Sequence, residues 1–195
     1  MIQWYHAIFS AYGFWLPNDP RGSWSDFVAS FELYRYGGAT KTSERRSLAH
    51  DPHNVQLRRE AKQALKYPPV RFDPAAREAI ARGIAQACNE SDITVHACSI
   101  GYDHVHVVVA RHLRTIENIV GQFKTRSSQQ MKAAGRHPMT RFGQSNKPLP
   151  SPWSDGCWKV FIDDPKQLRC AVDYVDRHPE KEGLAFRRFE FVRRP

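Results

Sequence analysis

Two histidines stand one residue apart in GYDHVHVVVARHL, residues 101 to 113. In a strand, alternate residues share a face. His104 and His106 then lie side by side on one face, while Val105, Val107 and Val109 point the other way, toward packed helices. Two imidazoles so placed can bind one metal ion if a third donor arrives from elsewhere. Buried without partners they would be costly. By itself, the pair reads as two half-exposed histidines on a solvent-facing strand. The second stretch is AVDYVDRHP, residues 171 to 179, where Tyr174 and His178 are four apart and so share one helical face. Leu168, Val172 and Val175 form the apolar stripe of that helix, with Tyr174 off its centre. Taken alone, Tyr174 is a packing residue with a wet hydroxyl, and His178 a histidine at the helix C-terminus interacting with the dipole. Taken together, a tyrosine hydroxyl, a third donor one turn away and two strand histidines supply the parts for phosphoryl transfer on DNA. A phenol with a pKa of about 10 is a weak nucleophile. It needs a metal or cations to stabilise charge on the phosphate and hold it in line.

The elements that must position these residues are legible in order. WYHAIFSAYG predicts a strand over about residues 3 to 12. Residues 14 to 53 are turn-rich, basic and aromatic, too long for an ordinary connection. HNVQLRREAKQALKYPP predicts a short helix stopped by Pro68 and Pro69. DPAAREAIARGIAQACNESD predicts a longer one, with Asp73 as cap, Pro74 in the first turn, and Ile80, Ile84, Ala87 and Cys88 on one face. DITVHACSI and HVHVVVA read as a hairpin joined by GYD. Thr115 caps IENIVGQFKTRSSQQM, whose stripe is Ile116, Ile119, Val120 and Phe123, with Lys124 and Arg126 off its centre. Residues 133 to 156 read as loop, CWKVFID as a last strand, and Asp164 with Pro165 as the start of a final helix that Pro179 ends. The expected class is α+β: a ferredoxin-like βαββαβ antiparallel sheet with helices on one face. An extra C-terminal helix, carrying Tyr174, is left to cover the other. The whole is expected to be a single domain, 1 to 195, with an inserted loop and helix region at about 14 to 72.

The chain has 195 residues and a formal net charge of +9, which favours polyanionic partners such as nucleic acid. Cys88, Cys98, Cys157 and Cys170 show no CxxC spacing and fall in periodic segments, so they read as reduced core residues of a cytosolic protein. No apolar run approaches a membrane span, and MIQWYHAIFSAYG lacks the basic start of a signal peptide. The expected location is cytoplasmic, with no membrane partner.

DHVHVVVA resembles the histidine–hydrophobic–histidine (HUH) motif of single-strand DNA endonucleases. Their single-tyrosine branch includes the IS200/IS605-type and the REP-associated tyrosine transposases. An Asp or Asn precedes the first histidine in that family, as Asp103 does here. YVDRHPEKEGL, Tyr174 to Leu184, is similar to the tyrosine helix of the REP-associated group, and GQFKTRSSQQM to the basic helix after the motif. The resemblance covers about residues 1 to 12 and 73 to 185. It implies His104 and His106 as metal ligands and Tyr174 as nucleophile. His178 takes the third ligand's place, where the family has Gln or Asn. SIGYD stands where the family has Met-Pro before the Asp, and residues up to 72 match nothing in the core pattern.

The resemblance further implies a metal-dependent single-stranded DNA endonuclease and strand transferase, working with Mg²⁺ or Mn²⁺ through a 5′-phosphotyrosine link. Its DNA would be single-stranded beside a hairpin, tracked by basic residues such as Lys124 and Arg126. Trp15, Trp24, Tyr34 and Tyr36 are placed to stack on bases or simply to pack a long loop. Relatives act as monomers or as homodimers that swap their tyrosine helices. Two other readings fit the same residues: a hairpin-binding module without cleavage, and a His-x-His hydrolase with water as nucleophile.

Overall fold

Aromatic and β-branched residues alternate in Trp4–Ser10, and this segment is strand β1. The structure is a computed structural model that describes residues 2–14, 16, 33, 35–36 and 54–195. Three further strands follow: β2 (Val95–Ile100), β3 (His104–Ala110) and β4 (Trp158–Ile162). They form one sheet in the order β2-β3-β1-β4, with every neighbouring pair antiparallel. The described helices are α1 (Val55–Gln63), α2 (Pro74–Ser91), α3 (Ile116–Ala133) and α4 (Pro165–Lys181). With β1, α2, β2, β3, α3 and β4 in sequence, this is the expected ferredoxin-like α+β arrangement, and α4 is the extra helix.

The chain divides into two compact units, residues 1–10 with 71–195, and residues 11–70. In the second, Asn54 accepts from Leu57 N to cap α1, and Tyr12 packs edge-on against Tyr67 with ring centroids 5.9 Å apart. Trp15 and Trp24, expected to stack on bases, and Tyr34 lie outside the described residues.

The first unit holds the sheet and α2–α4. The helix ends obey the capping chemistry written in the sequence: Asp73, Thr115 and Asp164 each accept from a first-turn backbone N–H. One sheet face and helices α2 and α3 share a core in which Phe9, Phe72, Phe123, Ile80, Ile84, Val105 and Val107 are fully buried. Helices α2 and α3 touch backbone to backbone at Gly83. A Cβ there would lie 2.4 Å from Ser127 Cα, so only glycine permits the approach.

The other face is covered by α4. Its Leu168, Val172 and Val175 pack with Ala97, Val108 and Ile162 of the sheet. Burying each such side chain stabilises the docked helix by roughly 1.5–3 kcal/mol. The C-terminal residues run along the outer side of β2, where Val192 bridges Val95 in parallel and Arg193 N donates to Val95 O at 2.8 Å. Arg194 pairs with Asp176 of α4. This segment occupies backbone groups that an edge strand would otherwise leave open.

Two sequence expectations are corrected. Pro179 does not end α4, which continues to Lys181. Pro179 has no N–H to give the helix and its ring crowds the carbonyl one turn back, yet the residues beyond it keep helical form as far as Lys181. The extension brings Lys181 and Glu182 over the histidines. Among the cysteines, all four are free, but only Cys88 and Cys98 are buried; Cys170 is exposed. Cys170 stands two residues from Leu168, which on a helix turns it away from the stripe.

Candidate active site

The site lies on the sheet face beneath α4. The β1–β3 register sets His104 opposite Ser10 and His106 opposite Ile8, and the β2–β3 register sets Ser99 opposite His106. Alternation then puts His6, Ser10, Ser99, His104 and His106 on one face. His106 is only 3% exposed, so the half-exposed surface strand is ruled out. Helix α4 lowers His178 and Tyr174 onto this surface.

Three imidazoles converge. The candidate ligand atoms of His104, His106 and His178 all lie within 4.8 Å of one another. His104 Nε2 and His178 Nε2 are 3.0 Å apart. Two metal–nitrogen bonds of about 2.1 Å meeting at roughly 90–110° span about 3.0–3.4 Å, so this pair is already at ligand spacing.

Each ring's Nδ1 has its own partner. His104 Nδ1 is 2.6 Å from Asp103 Oδ1, and Glu182 Oε1 lies 3.6 Å from the same nitrogen. His106 Nδ1 is 3.0 Å from His6 Nε2. His178 Nδ1 is 3.3 Å from Ser99 Oγ. With each Nδ1 so engaged, the Nε2 side of each ring is the one a cation would use, the arrangement metal-binding histidines adopt. Ser10 Oγ, also on this face, is buried with no hydrogen-bond partner among the described residues.

Electrostatics favours neutral donors. Burial, reinforced by the neighbouring His104, His6 and His178 and by Lys181, holds His106 well below the ordinary histidine range. Burial lowers His178 to about 4, with His104 and Lys181 adding to it. The residues present therefore fit a divalent ion: His106 and His178 are held neutral by burial, and the carboxylates of Asp103 and Glu182 stand behind His104, where they would offset the charge of an ion.

Tyr174 is 43% exposed, and its ring centroid is 5.7 Å from that of His106 and 5.8 Å from that of His6. Lys181 Nζ lies 4.4 Å from the ring centroid of Tyr174. Partial burial pushes the phenol above its ordinary value, so a nearby cation is needed before it can act as an oxygen nucleophile.

The structure thus brings His104, His106, His178 and Tyr174 together within one chain. It places Lys124 and Arg126 elsewhere. Lys124 Nζ donates to the carbonyls of Ser154 and Gly156, both at 2.6 Å. Arg126 pairs with Glu90 at 2.7 Å. Tyr36 carries the guanidinium of Arg35 on its ring, 4.8 Å from the centroid.

Sequence reasoning missed His6, Ser99, Glu182 and Lys181. For His6 a signal existed: a lone histidine inside the otherwise apolar WYHAIF. Gly101, in the GYD turn between β2 and β3, has a use of its own. A Cβ there would sit 2.3 Å from Glu182 Oε2, and Tyr102 N donates to that oxygen at 3.2 Å. The turn is a seat for the Glu182 carboxylate.

No curated protein matches the chain. Among solved structures, a REP-associated tyrosine transposase bound to a REP hairpin is 12% identical with a TM-score of 0.48, over 94% of this chain and 70% of that one. A protein of Deinococcus radiodurans assigned as a transposase is 10% identical with a TM-score of 0.41, over 95% of each chain. The family described as Transposase IS200 like matches residues 64–177, a span that holds His104, His106 and Tyr174 and stops just short of His178. With more than half of its residues matched, the chain belongs to the IS200-like transposase family.

Proposed function

We propose that this transposase-family protein cuts and rejoins single-stranded DNA beside a hairpin, with Tyr174 as nucleophile. The observation that carries the reading is the convergence of the imidazoles of His104, His106 and His178 beside the ring of Tyr174. In the cleavage step, the Tyr174 oxygen bonds to phosphorus and the bond from phosphorus to O3′ breaks. The phenol proton is transferred, in net terms, to the leaving 3′-oxygen. A 5′-phosphotyrosine and a free 3′-hydroxyl result, and attack by another 3′-hydroxyl reverses the step. The phosphodiester's energy stays in the covalent link, so no nucleotide cofactor is required.

A divalent ion held by His104, His106 and His178 supplies Lewis-acid stabilisation of the phosphate's charge. A set of three imidazoles suits Mn²⁺ or another first-row transition ion better than Mg²⁺. Asp103 and Glu182 restrain His104 from behind. Lys181, over the face of Tyr174, adds positive charge where phosphate oxygens would lie. One chain supplies every one of these groups, which supports a site formed in cis by a monomer. The preference for hairpin-flanked DNA rests on the likeness of Tyr174–Leu184 to the REP-associated group. The net charge of +9 supplies the sequence-independent part of the affinity, to which Lys124 and Arg126 contribute field. We extend the same reading to the organisation of the chain, with residues 14–72 as an insert in one catalytic domain.

The test is cleavage of a labelled hairpin with a single-stranded flank, in Mn²⁺ and in EDTA, by wild type and by the double variant His104→Ala/His106→Ala. Cleavage should need both the metal and the histidines, while the metal-free melting temperature of the variant shows that the fold persists. Cutting that survives EDTA and the double substitution sinks the reading.

A further inference from the structure

A fourth imidazole belongs to this site. His6 lies on β1, outside residues 64–177, and is 7% exposed. Its Nε2 is 3.0 Å from His106 Nδ1, and the two rings stack with centroids 5.3 Å apart. Trp158 closes on it edge-on, centroid to centroid at 5.5 Å. We propose that His6 is a positioning residue: its Nε2 accepts the Nδ1 proton of His106, and so holds His106 in the one tautomer and ring orientation that leave Nε2 free to bind a metal.

The argument is one of proton placement. A neutral imidazole has one N–H and one lone pair. A ligand must present its lone pair to the ion. If His106 binds through Nε2, its proton must be on Nδ1, and the hydrogen-bond partner of Nδ1 among the described residues is His6 Nε2. His6 must then be the acceptor, with its own proton on Nδ1. The stacking of the two rings and the edge-on contact of Trp158 hold His6 in place for this. Its neighbours play the same part with different chemistry: the Asp103 carboxylate for His104 and the Ser99 hydroxyl for His178. A carboxylate behind a ligand brings negative charge. A neutral imidazole fixes the tautomer without adding charge, which suits a ring as deeply buried as His106. His6 also packs beside Tyr174, centroids 5.8 Å apart, so one side chain braces both a metal ligand and the nucleophile's ring.

The inference rests on the metal-binding reading of the site, and its test separates the two. His6→Leu removes the acceptor at similar volume. His6→Gln returns an amide oxygen close to the position of Nε2. Mn²⁺ affinity is read by titration calorimetry, and the tautomer of His106 by long-range ¹H–¹⁵N correlation on metal-free protein, with its signals identified by their loss in His106→Asn. Wild type should show His106 protonated on Nδ1. His6→Leu should lose that tautomer and weaken Mn²⁺ binding by about 10- to 100-fold, with an unchanged metal-free melting temperature. His6→Gln should recover both to within a few-fold. A His106 proton on Nε2 in wild type, unchanged Mn²⁺ affinity in His6→Leu, or equal losses in the Leu and Gln variants overturns the assignment. If wild type binds no Mn²⁺, the proposed function fails, and the tautomer alone then decides the role of His6.

Discussion

Acid should unfold this protein through its histidines before its carboxylates. Burial depresses His6 from 6.5 to about 4 in the folded state. The unfolded chain therefore binds more protons than the folded one as pH falls below 6.5. Stability drops through that window, and the loss is complete only below 4. A full shift of this size amounts to about 3 kcal/mol at 1.36 kcal/mol per unit. Integrating between pH 7 and pH 5, the His6 term alone removes about 2 kcal/mol. For a chain of this size, that lowers the melting temperature by about 4–8 °C. His178, depressed in the same direction by the same burial, adds a term of the same sign. The assay is circular dichroism melting of metal-free protein in half-unit steps from pH 7.5 to 5, above the range where ordinary carboxylates titrate. His6→Gln, which cannot titrate there, should give a shallower slope. A melting temperature that stays level from pH 7 to 5, or a His6→Gln slope equal to wild type, would refute the reasoning.

Other perturbations follow from the same contacts. Gly83→Ala gains about 1 kcal/mol of helix propensity but drives a methyl against the Ser127 backbone, so a net destabilisation of about 1–3 kcal/mol is expected in urea denaturation. Asp103→Asn leaves the fold intact and weakens Mn²⁺ binding about 10-fold or more, because the amide is a poorer acceptor for His104 Nδ1–H; calorimetry reads it. Hairpin affinity should fall linearly in log–log with salt, and a hairpin with a single-stranded flank should outbind a plain duplex of equal length; equal affinities count against the substrate proposed.

Much of this site was legible along the chain because its signals are local. The alternation of histidine and valine over 104–110 and the 3.6-residue stripe of Leu168, Val172 and Val175 name the face that each residue takes. The order of elements then implies the sheet. What stayed hidden depends on register and on distant chain segments. His6 meets His106 across 100 residues, and only the pairing of β1 with β3 brings them together. Glu182 reaches His104 because α4 runs on past Pro179, where a proline signal argues for a stop. Lys124 looks like a surface cation by helix position, yet the carbonyls of Ser154 and Gly156 close over its ammonium, and no helical periodicity can show a loop folding back.

The most direct measurement concerns one oxygen atom. Tyr174→Phe removes the phenol hydroxyl and almost no volume. If Tyr174 only packs, the change costs at most about 1 kcal/mol of stability and leaves activity alone. The account predicts something different in kind: Mn²⁺ and hairpin binding persist, while cleavage and the covalent protein–DNA adduct disappear. Denaturing gel electrophoresis with labelled hairpin DNA and Mn²⁺ reads the adduct as a slow-migrating band. Its loss in Tyr174→Phe is the predicted result; a band of undiminished strength in that variant would contradict the account.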